Sequence, residues 1–314
     1  MRLDQFVAAA IAPEYSRSQA ARMIKAGLVT VNGAAGRASR VMRAGDRIEL
    51  APIPVPEAPP APQEAPPIEV LFADAELIAV NKPAGMTVHP APGHPHSTLV
   101  DALLARFPEL GAMAEPDGVM RPGIVHRLDK ETSGVMVVAR TPLARTSLSR
   151  QFKERSVRKI YVAIVRGAVA RDRITIARPI GRHPTERKRI SVRSRTPREA
   201  VSHVTVLRRF GEGGDASTLV VVRPETGRTH QIRVHLASIG HPCLGDPLYG
   251  GVAGGAEGFE GRQALHALAL AVTHPRRGER MEFVAPIPAD MSGFIGARGV
   301  EVDESVVRRW ITVG

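Results

Sequence analysis

A proline-rich stretch divides this chain into two parts that are expected to fold separately. Prolines recur every few residues from Ala51 to Pro67. Proline lacks a backbone N–H and has a fixed φ, so neither a helix nor a sheet persists through such a stretch. A semi-rigid, extended linker is expected instead. The sequence therefore predicts a small domain of residues 1–51, a linker of residues 52–67, and a larger domain beyond it.

The amino-terminal part has the pattern of two short helices followed by a small sheet. Apolar residues recur there at helical spacing, first at Leu3, Phe6, Val7, Ala10 and Ile11 and then at Ala20, Ala21, Ile24 and Leu28. Ser16 and Ser18 are both suitable caps for the second helix, which Gly27 ends. Two strands and a tight hairpin turn are predicted to follow, at residues 29–31, residues 45–50 and Asn32-Gly33 respectively.

The chain is strongly basic, which favours a polyanionic partner. It has 43 Lys and Arg against 31 Asp and Glu, a formal net charge of +12. A surplus of this size favours contacts with nucleic-acid phosphates, because binding releases their counterions. In the small domain the candidate contact residues are Arg17, Arg22 and Lys25. A solvated basic face without a partner is the alternative interpretation.

Composition also limits the compartment and the kind of site. The one cysteine, Cys243, leaves no internal disulfide and no multi-cysteine zinc site. There is no apolar core of a signal peptide and no run of about 18 apolar residues, so neither secretion nor a membrane span is expected. We expect a cytoplasmic, monomeric protein with no membrane association.

The larger part mixes strand and helix signals, which predicts an α+β fold. Strand patterns occur at residues 70–72, 77–80, 160–165, 201–206 and 218–222. Helix patterns occur at residues 101–107, from Thr141-Pro142 onward, and at residues 229–239. The order of the strands does not follow from these patterns.

One acidic residue, Asp129, lies among basic side chains just before an apolar strand. Its neighbours are His126, Arg127 and Lys130, and residues 135–139 are apolar. A carboxylate next to cations stays ionised, as a nucleophile or a base requires. A structural ion pair in a turn is the alternative interpretation.

Six segments of the larger part carry motifs: Asn81–Gly85 with Val88-His89-Pro90, His126–Asp129 with Thr132-Ser133-Gly134, Arg158–Ala163, Glu225–His235, His241-Pro242 with Gly245–Gly250, and Leu265-His266-Ala267. In this order they resemble the motifs of the RluA/RluD-type pseudouridine synthases, which isomerise uridine in structured RNA. The resemblance runs from about Ile68 to about Pro288, so the larger domain is assigned to residues 68–290 and a tail to residues 291–314. Residues 2–4, 16–18 and 29–33 resemble the S-four-type RNA-binding domain of a small-subunit ribosomal protein.

The resemblance implies a mixed, largely antiparallel sheet with flanking helices and a central cleft, preceded by a small α/β RNA-binding domain. It implies an RNA pseudouridine synthase, an isomerase that needs no cofactor and no metal. Asp129 is then the catalytic carboxylate, Tyr161 lies against the flipped base, and Arg228 forms the ion pair with Asp129. Arg228 also precedes a predicted helix start, where backbone amides favour an anion. His126 and Arg127 are implied substrate contacts, and Arg127 fills the gap left by the extruded nucleotide.

A second basic segment, residues 178–198, is predicted to be a loop or ribbon that faces RNA. It is dense in Arg and Lys and has few large apolar residues. Its candidate contact residues are Arg187, Lys188 and Arg189. Solvated charge without a partner is again the alternative.

The predicted substrate is large-subunit ribosomal RNA, with transfer RNA as the alternative. A non-catalytic RNA-binding ribosome-assembly factor is a rival function. A nucleoside or glycoside hydrolase that uses Asp129 with Glu131 as its acid partner is a further rival, and it is the least favoured. A metal site at His89, His94 and His96 is not expected, because nearby prolines restrict convergence and no acidic residue is adjacent.

Overall fold

The computed structural model describes residues 1–11, 17–51, 65–90, 96–113, 122–186, 189–250, 259 and 261–314. Most of the predicted linker lies outside these ranges, as do Ser16, His94, Arg187 and Lys188. The extents of the predicted domains therefore stay predictions. The units on the two sides of the linker are described separately.

The amino-terminal unit contains two helices and a three-stranded antiparallel sheet. Its elements are α1 (Leu3–Ala10), α2 (Arg17–Lys25), β1 (Val29–Val31), β2 (Ala34–Ala35) and β3 (Ile48–Leu50), with strand order β2-β1-β3. Asn32 and Gly33 have φ values of 55° and 77° and join β1 to β2, which confirms the predicted tight turn. Helix α2 begins before Ser18, so Ser18 is not its cap. Leu3, Ile24 and Val29 are fully or almost fully buried and belong to the core of this unit.

The larger unit is built on one mixed sheet. Its strands are β4 (Glu69–Ala73), β5 (Leu77–Lys82), β6 (Ser133–Ala139), β7 (Arg158–Arg166), β8 (Arg173–Ala177), β11 (Val201–Phe210), β12 (Ser217–Pro224), β13 (Leu265–Thr273) and β14 (Arg280–Val284). The order is β4-β5-β6-β13-β7-β12-β11-β8, and β14 pairs with β13. Within the described ranges β6 and β13 pair in parallel, while the other neighbours are antiparallel. The predicted mixed, largely antiparallel sheet is confirmed.

A short contact between β6 and β13 joins the two halves of this sheet. The pairing covers His266 with Ser133 and Ala267 with Gly134, and β13 then continues along β14 instead. Gly134 has a φ of 118°, and a Cβ atom there would lie 2.3 Å from the carbonyl oxygen of Ala267. A glycine is therefore needed for the two backbones to approach. The loop that carries Asp129 enters the sheet at this junction.

Two further short strands, β9 (Gly181–Arg182) and β10 (Ile190–Ser191), form an antiparallel ribbon. Its base is closed by backbone hydrogen bonds between Ile180 and Arg198, at 2.8 and 2.9 Å. A loop or ribbon was predicted over residues 178–198, and its described residues form a ribbon, while contact with RNA stays a prediction. We refer to residues 180–186 and 189–198 as the basic ribbon.

Helices cover the sheet on both sides of the junction. They are α3 (Leu99–Arg106), α4 (Pro142–Lys153), α5 (Gln231–Ser238), α6 (Ala289–Gly296) and α7 (Glu304–Val313). The hydroxyl of Thr141 accepts a hydrogen bond from the amide of Ala144, so the predicted cap of α4 is confirmed. No structure was predicted for the tail, yet its Ile295 and Trp310 pack into one core with residues of β7 and β12. Among the helices described, none combines the length and the apolar character of a membrane span.

Candidate active site

The Asp129 side chain lies in a cavity of about 450 Å³ next to the junction of the sheet halves. The loop of residues 125–132, the end of α4, strand β7 and residues 224–233 line it. Asp129 has a 19% exposed side chain, so it is reachable from solvent but largely enclosed. Glu131 is not among the lining residues, so no second carboxylate from this loop lies in the cavity to support the hydrolase interpretation.

Asp129 is held by Arg233, in the first turn of α5. Arg233 Nη1 donates to Asp129 Oδ2 at 3.1 Å. The same guanidinium donates from Nε and Nη2 to the two oxygens of buried Asp246, at 2.7 and 2.8 Å. Burial by itself would lower the pKa of Arg233, but the hydrogen bonds and charges of Asp246 and Asp129 raise it above its ordinary value. A permanent, buried cation therefore fixes the carboxylate.

The predicted ion pair between Arg228 and Asp129 is wrong. Arg228 Nε donates instead to the backbone oxygen of Glu199, at 3.1 Å. Helix α5 begins at Gln231, so Arg228 precedes the helix while Arg233 lies in its first turn. Side chains of a helix lean toward its amino terminus. That direction carries Arg233, rather than Arg228, to Asp129. Arg228 still lines the cavity at its half-buried rim.

Tyr161 lines the same cavity from β7. Burial, followed by the negative charge of Asp129, raises the pKa of its hydroxyl well above the ordinary value, so the phenol stays protonated. Lys159 is two residues earlier on the strand and therefore on the same face. It also lines the cavity, and its Nζ donates to Thr226 O at 3.2 Å. The ring and the ammonium group thus lie on one wall.

His126 braces the loop that carries Asp129. Its Nε2 accepts a hydrogen bond from the amide of Val137 at 3.0 Å, and its ring stacks on Phe152 with centroids 4.4 Å apart. Burial, and then the nearby charge of Lys159, lowers the pKa of His126 to about 3, so the ring is neutral. Its role as a substrate contact stays a prediction. Arg127 is exposed at the rim of the cavity, where the predicted contact with RNA is sterically open.

A second buried cation, Lys82, anchors this loop to β5. Its Nζ donates to the backbone oxygens of Pro83, Met86 and Lys130, at 2.7, 2.9 and 3.0 Å. Burial lowers the pKa of Lys82 to about 7, against the attraction of Glu131 and Asp129. Because Lys130 follows Asp129 directly, this contact fixes the backbone beside the carboxylate.

The sequence motifs did not reveal functions for Arg233, Asp246, Lys159 and Lys82. One signal for Arg233 was present. It lies next to Ile232 in the predicted helix, and a cation on a buried helical face requires an acidic partner. Asp246, in the motif Gly245-Asp246-Pro247, was an available partner, but its distance in the sequence offered no means of choosing it.

The predicted RNA-contact residues of the small unit and of the basic ribbon differ from one another in their exposure and their ion-pair partners. Arg17 donates from Nε and Nη2 to buried Asp4 at 2.9 and 2.8 Å, so part of its charge is used inside the unit. Lys25 is exposed and Arg22 half-buried in the last turn of α2. In the basic ribbon Arg189 pairs with Glu186 at 3.0 Å. All of these residues stay predictions as RNA contacts.

Within the described ranges no cluster of three or more His, Cys, Asp or Glu side chains is arranged to hold a metal ion. His89 and His96 lie inside these ranges and His94 outside them. The side chains of the cavity include several cations, the phenol of Tyr161 and the carboxylate of Asp129, which suits binding of an anionic ligand with a planar base.

Comparison with known sequences identifies both units. The chain matches the RNA pseudouridylate synthase family over residues 76–238 and the S4 domain over residues 1–48. It is 44% identical over 294 residues to an uncharacterized RNA pseudouridine synthase of Bacillus subtilis, covering 94% of this chain and 93% of that protein. It is 42% identical over 300 residues to the ribosomal large subunit pseudouridine synthase D of Pseudomonas aeruginosa, covering 92% and 89%.

A similar fold is found among solved structures. The human RNA pseudouridylate synthase domain containing 1 aligns with a TM-score of 0.58 at 29% identity, covering 77% of this chain and 99% of that one. The human RNA pseudouridylate synthase domain containing 4 aligns with the same TM-score at 26% identity, covering 75% and 95%.

Proposed function

This chain belongs to the RNA pseudouridylate synthase family, with an amino-terminal S4 domain, and from that premise we propose that it converts uridines of large-subunit ribosomal RNA into pseudouridine. It is an RNA pseudouridine synthase, which makes it an isomerase. The proposal concerns the RNA target and the residues that act on it.

The observation that carries the proposed mechanism is the enclosed carboxylate of Asp129, bound to Arg233 at 3.1 Å in a cavity that Tyr161 also lines. Isomerisation breaks the bond between N1 of the base and C1′ of the ribose. The base turns, C5 bonds to C1′, the C5 proton leaves, and a proton is bound at N1. We assign Asp129 as the catalytic carboxylate of this sequence.

The other groups of the cavity fit the remaining steps. Tyr161, held in its protonated form, offers a flat ring against the base. Arg233 orients the carboxylate through its hydrogen bond to Oδ2. Lys159 offers a positive charge on the same wall. None of these steps requires a redox group or a phosphoryl transfer.

The uridine must leave its stack to reach this cavity, at a cost of a few kcal/mol that RNA contacts offset. Arg127 is exposed at the rim, where it can fill the gap in the stack. The S4 domain and the basic ribbon supply further positive charge for the RNA backbone. We propose Arg17, Arg22, Lys25 and Arg189 among these contacts.

Large-subunit ribosomal RNA is proposed as the target because several relatives carry that substrate in their names. These include proteins named ribosomal large subunit pseudouridine synthase D from Xanthomonas campestris and Pseudomonas aeruginosa, both 42% identical to this chain. Mapping of carbodiimide-reactive sites in total RNA, with and without the gene, tests the target. Disappearance of sites from transfer RNA alone would contradict the proposal.

The substitution Asp129→Asn tests the catalytic assignment. The amide is nearly isosteric but cannot act as a carboxylate, so we expect RNA binding within about threefold of wild type and a decrease in turnover of at least about 1,000-fold. The assay is tritium release from RNA labelled at C5 of uridine. Turnover near the wild-type rate would remove Asp129 from the mechanism. Free uracil among the products would instead indicate hydrolysis.

A further inference from the structure

Tyr249 connects the basic ribbon to the active site although it does not line the catalytic cavity. Its side chain packs beside Ile190 of the ribbon and Val234 of α5. The guanidinium carbons of Arg233 and Arg189 lie 5.1 and 5.6 Å from the centre of its ring. The ring therefore links the cation that binds Asp129 to a cation of the ribbon.

The hydroxyl of Tyr249 has a partner on each side. The amide of Ile190 donates to it at 3.0 Å, and Nδ1 of His230 lies 2.9 Å from it. Since the Ile190 amide is a donor, it occupies one lone pair of the oxygen, and the O–H remains for His230.

The other ring nitrogen of His230, Nε2, faces Asp129. Its Nε2 is 3.9 Å from Asp129 Oδ1, while Arg233 binds Oδ2. Its backbone has a φ of 52° at the start of α5, a conformation that is unfavourable for a residue with a side chain and that concentrates at functional sites. The two oxygens of the carboxylate thus face different groups.

The charges around His230 favour a neutral ring with one defined tautomer. Burial lowers its pKa; Arg233 and Arg127 act in the same direction, and Asp129 and Asp246 oppose them. In a neutral ring only one nitrogen carries hydrogen. A hydrogen at Nε2 faces the negative Oδ1 of Asp129, so Nδ1 is the acceptor and Tyr249 the donor.

We propose that Tyr249 is a positioning residue for the isomerisation: its hydroxyl donates to Nδ1 of His230 and so keeps an N–H at Nε2 toward Asp129. The amide of Ile190 holds that hydroxyl in place, so strand β10 supports the orientation of the carboxylate. Arg233 on one oxygen and His230 near the other then limit rotation of the carboxylate. This inference rests on the proposed catalytic role of Asp129.

The test combines ¹⁵N NMR of the histidine rings with kinetics. In wild-type protein we expect the ring of His230, assigned by comparison with His230→Gln, to be protonated at Nε2. In Tyr249→Phe, which keeps the ring but removes the hydroxyl, we expect a mixed tautomer and a kcat lower by about 10- to 100-fold, with KM changed less than about threefold. In the His230→Gln background, Tyr249→Phe is expected to cost less than about threefold, because the two residues act through one contact.

The matched control is Thr175→Val, which removes a hydroxyl that lies 3.0 Å from Nδ1 of His203; neither residue lines the cavity. It should change the ring signals of His203 and leave kcat unchanged. A wild-type His230 protonated at Nδ1 would overturn the proposal, whether or not Tyr249→Phe folds. Wild-type kcat in Tyr249→Phe, or additive decreases in the double variant, would also overturn it.

The kinetic assay uses C5-tritiated large-subunit ribosomal RNA transcripts. Should wild-type enzyme release no tritium from them but release it from labelled total RNA, the proposed target fails, and total RNA replaces the transcripts. Inactivity of Asp129→Asn alone, with Tyr249→Phe unaffected, leaves the catalytic assignment standing and overturns the positioning role.

Discussion

Among single residues, Arg233 connects Asp129, the proposed catalytic carboxylate, to the protein interior. It binds Asp246 through two hydrogen bonds and Asp129 through a third, and its side chain is 4% exposed. This arrangement of three hydrogen bonds requires the planar guanidinium fork of arginine. Removing Arg233 would leave the carboxylates of Asp246 and Asp129 without this cation.

Substitutions of two arginines are expected to separate these roles. Arg233→Lys keeps the charge but lacks the fork, so we expect kcat to fall by more than about 100-fold and the free energy of unfolding by about 3 kcal/mol. Arg228→Ala should lower kcat by less than about tenfold, since Arg228 bonds a backbone oxygen rather than Asp129. Tritium release and urea unfolding measure both. The reverse ranking would restore Arg228 as the partner of Asp129.

Lys159 leads to a pH-dependent prediction. Burial, and then the charge of Arg155, lowers its pKa to about 8. Lysine is charged below its pKa, so its attraction for RNA is present at pH 7 and disappears as pH rises through about 8. We expect the affinity for RNA to fall across that range, as measured by fluorescence anisotropy.

The variant Lys159→Arg is the control, because arginine keeps its charge far above pH 8. The affinity of Lys159→Arg for RNA should not fall as pH rises through about 8. Lys159→Met should bind RNA more weakly at pH 7, and its affinity should also show no fall near pH 8. If the affinity of Lys159→Met still fell near pH 8 as in the wild type, a group other than Lys159 would be responsible for the titration.

Among the elements, the junction of β6 and β13 positions the loop that carries Asp129. Within the described residues the backbone pairing of these strands covers His266–Ser133 and Ala267–Gly134, and Ser133 Oγ lies 2.9 Å from His266 Nδ1. Gly134 permits the approach, since a Cβ atom would lie 2.3 Å from one backbone atom of Ala267 and 2.6 Å from another. The close approach of β6 and β13 is thus the structural reason for a glycine at position 134.

Gly134→Ala is therefore expected to lower the free energy of unfolding by about 4 kcal/mol or more, because it adds both strain and a backbone clash. Gly278→Ala is the matched control. Gly278 also has a positive φ, 72°, but its Cβ position has no atom within 4 Å, so about 1–2 kcal/mol is expected. Urea unfolding measures the difference. Equal decreases would show that strain alone, and not the strand contact, makes the glycine necessary.

Other elements followed from local patterns in the sequence. Thr141 and Pro142 start α4, Asn32 and Gly33 form the hairpin turn, and the alternating or apolar runs became strands. These features depend on neighbours along the chain, so a single sequence contains the required information. The α6 and α7 helices were not predicted, because the resemblance to the family motifs ends at about Pro288.

For the whole molecule, charge and domain organisation predict how RNA is bound. The net charge is +12, and a proline-rich stretch of sequence lies between the S4 match and the pseudouridylate synthase match. A tethered second module raises the effective concentration of its binding site when the linker spans the distance.

Deletion of residues 1–51 is expected to weaken binding to ribosomal RNA. It should also reduce the slope of log affinity against log salt concentration, by about one for each phosphate that the deleted module neutralises. Affinities measured between low and moderate salt determine the slope. Asp129→Asn in the full-length chain is the control and should keep the wild-type slope. An unchanged slope after deletion would mean that the module does not touch phosphates.

The sequence by itself determined the reaction and singled out Asp129 as the proposed catalytic carboxylate, because both depend on motifs whose residues are close together in the chain. It did not determine the partner of that carboxylate. Asp129 and Arg233 are 104 residues apart, and the order of strands in the sheet brings them together. Arg228 and Arg233 lie in one motif and have the same chemistry. The choice between them depends on where α5 begins and which way its first turn faces, and only the tertiary structure decides that.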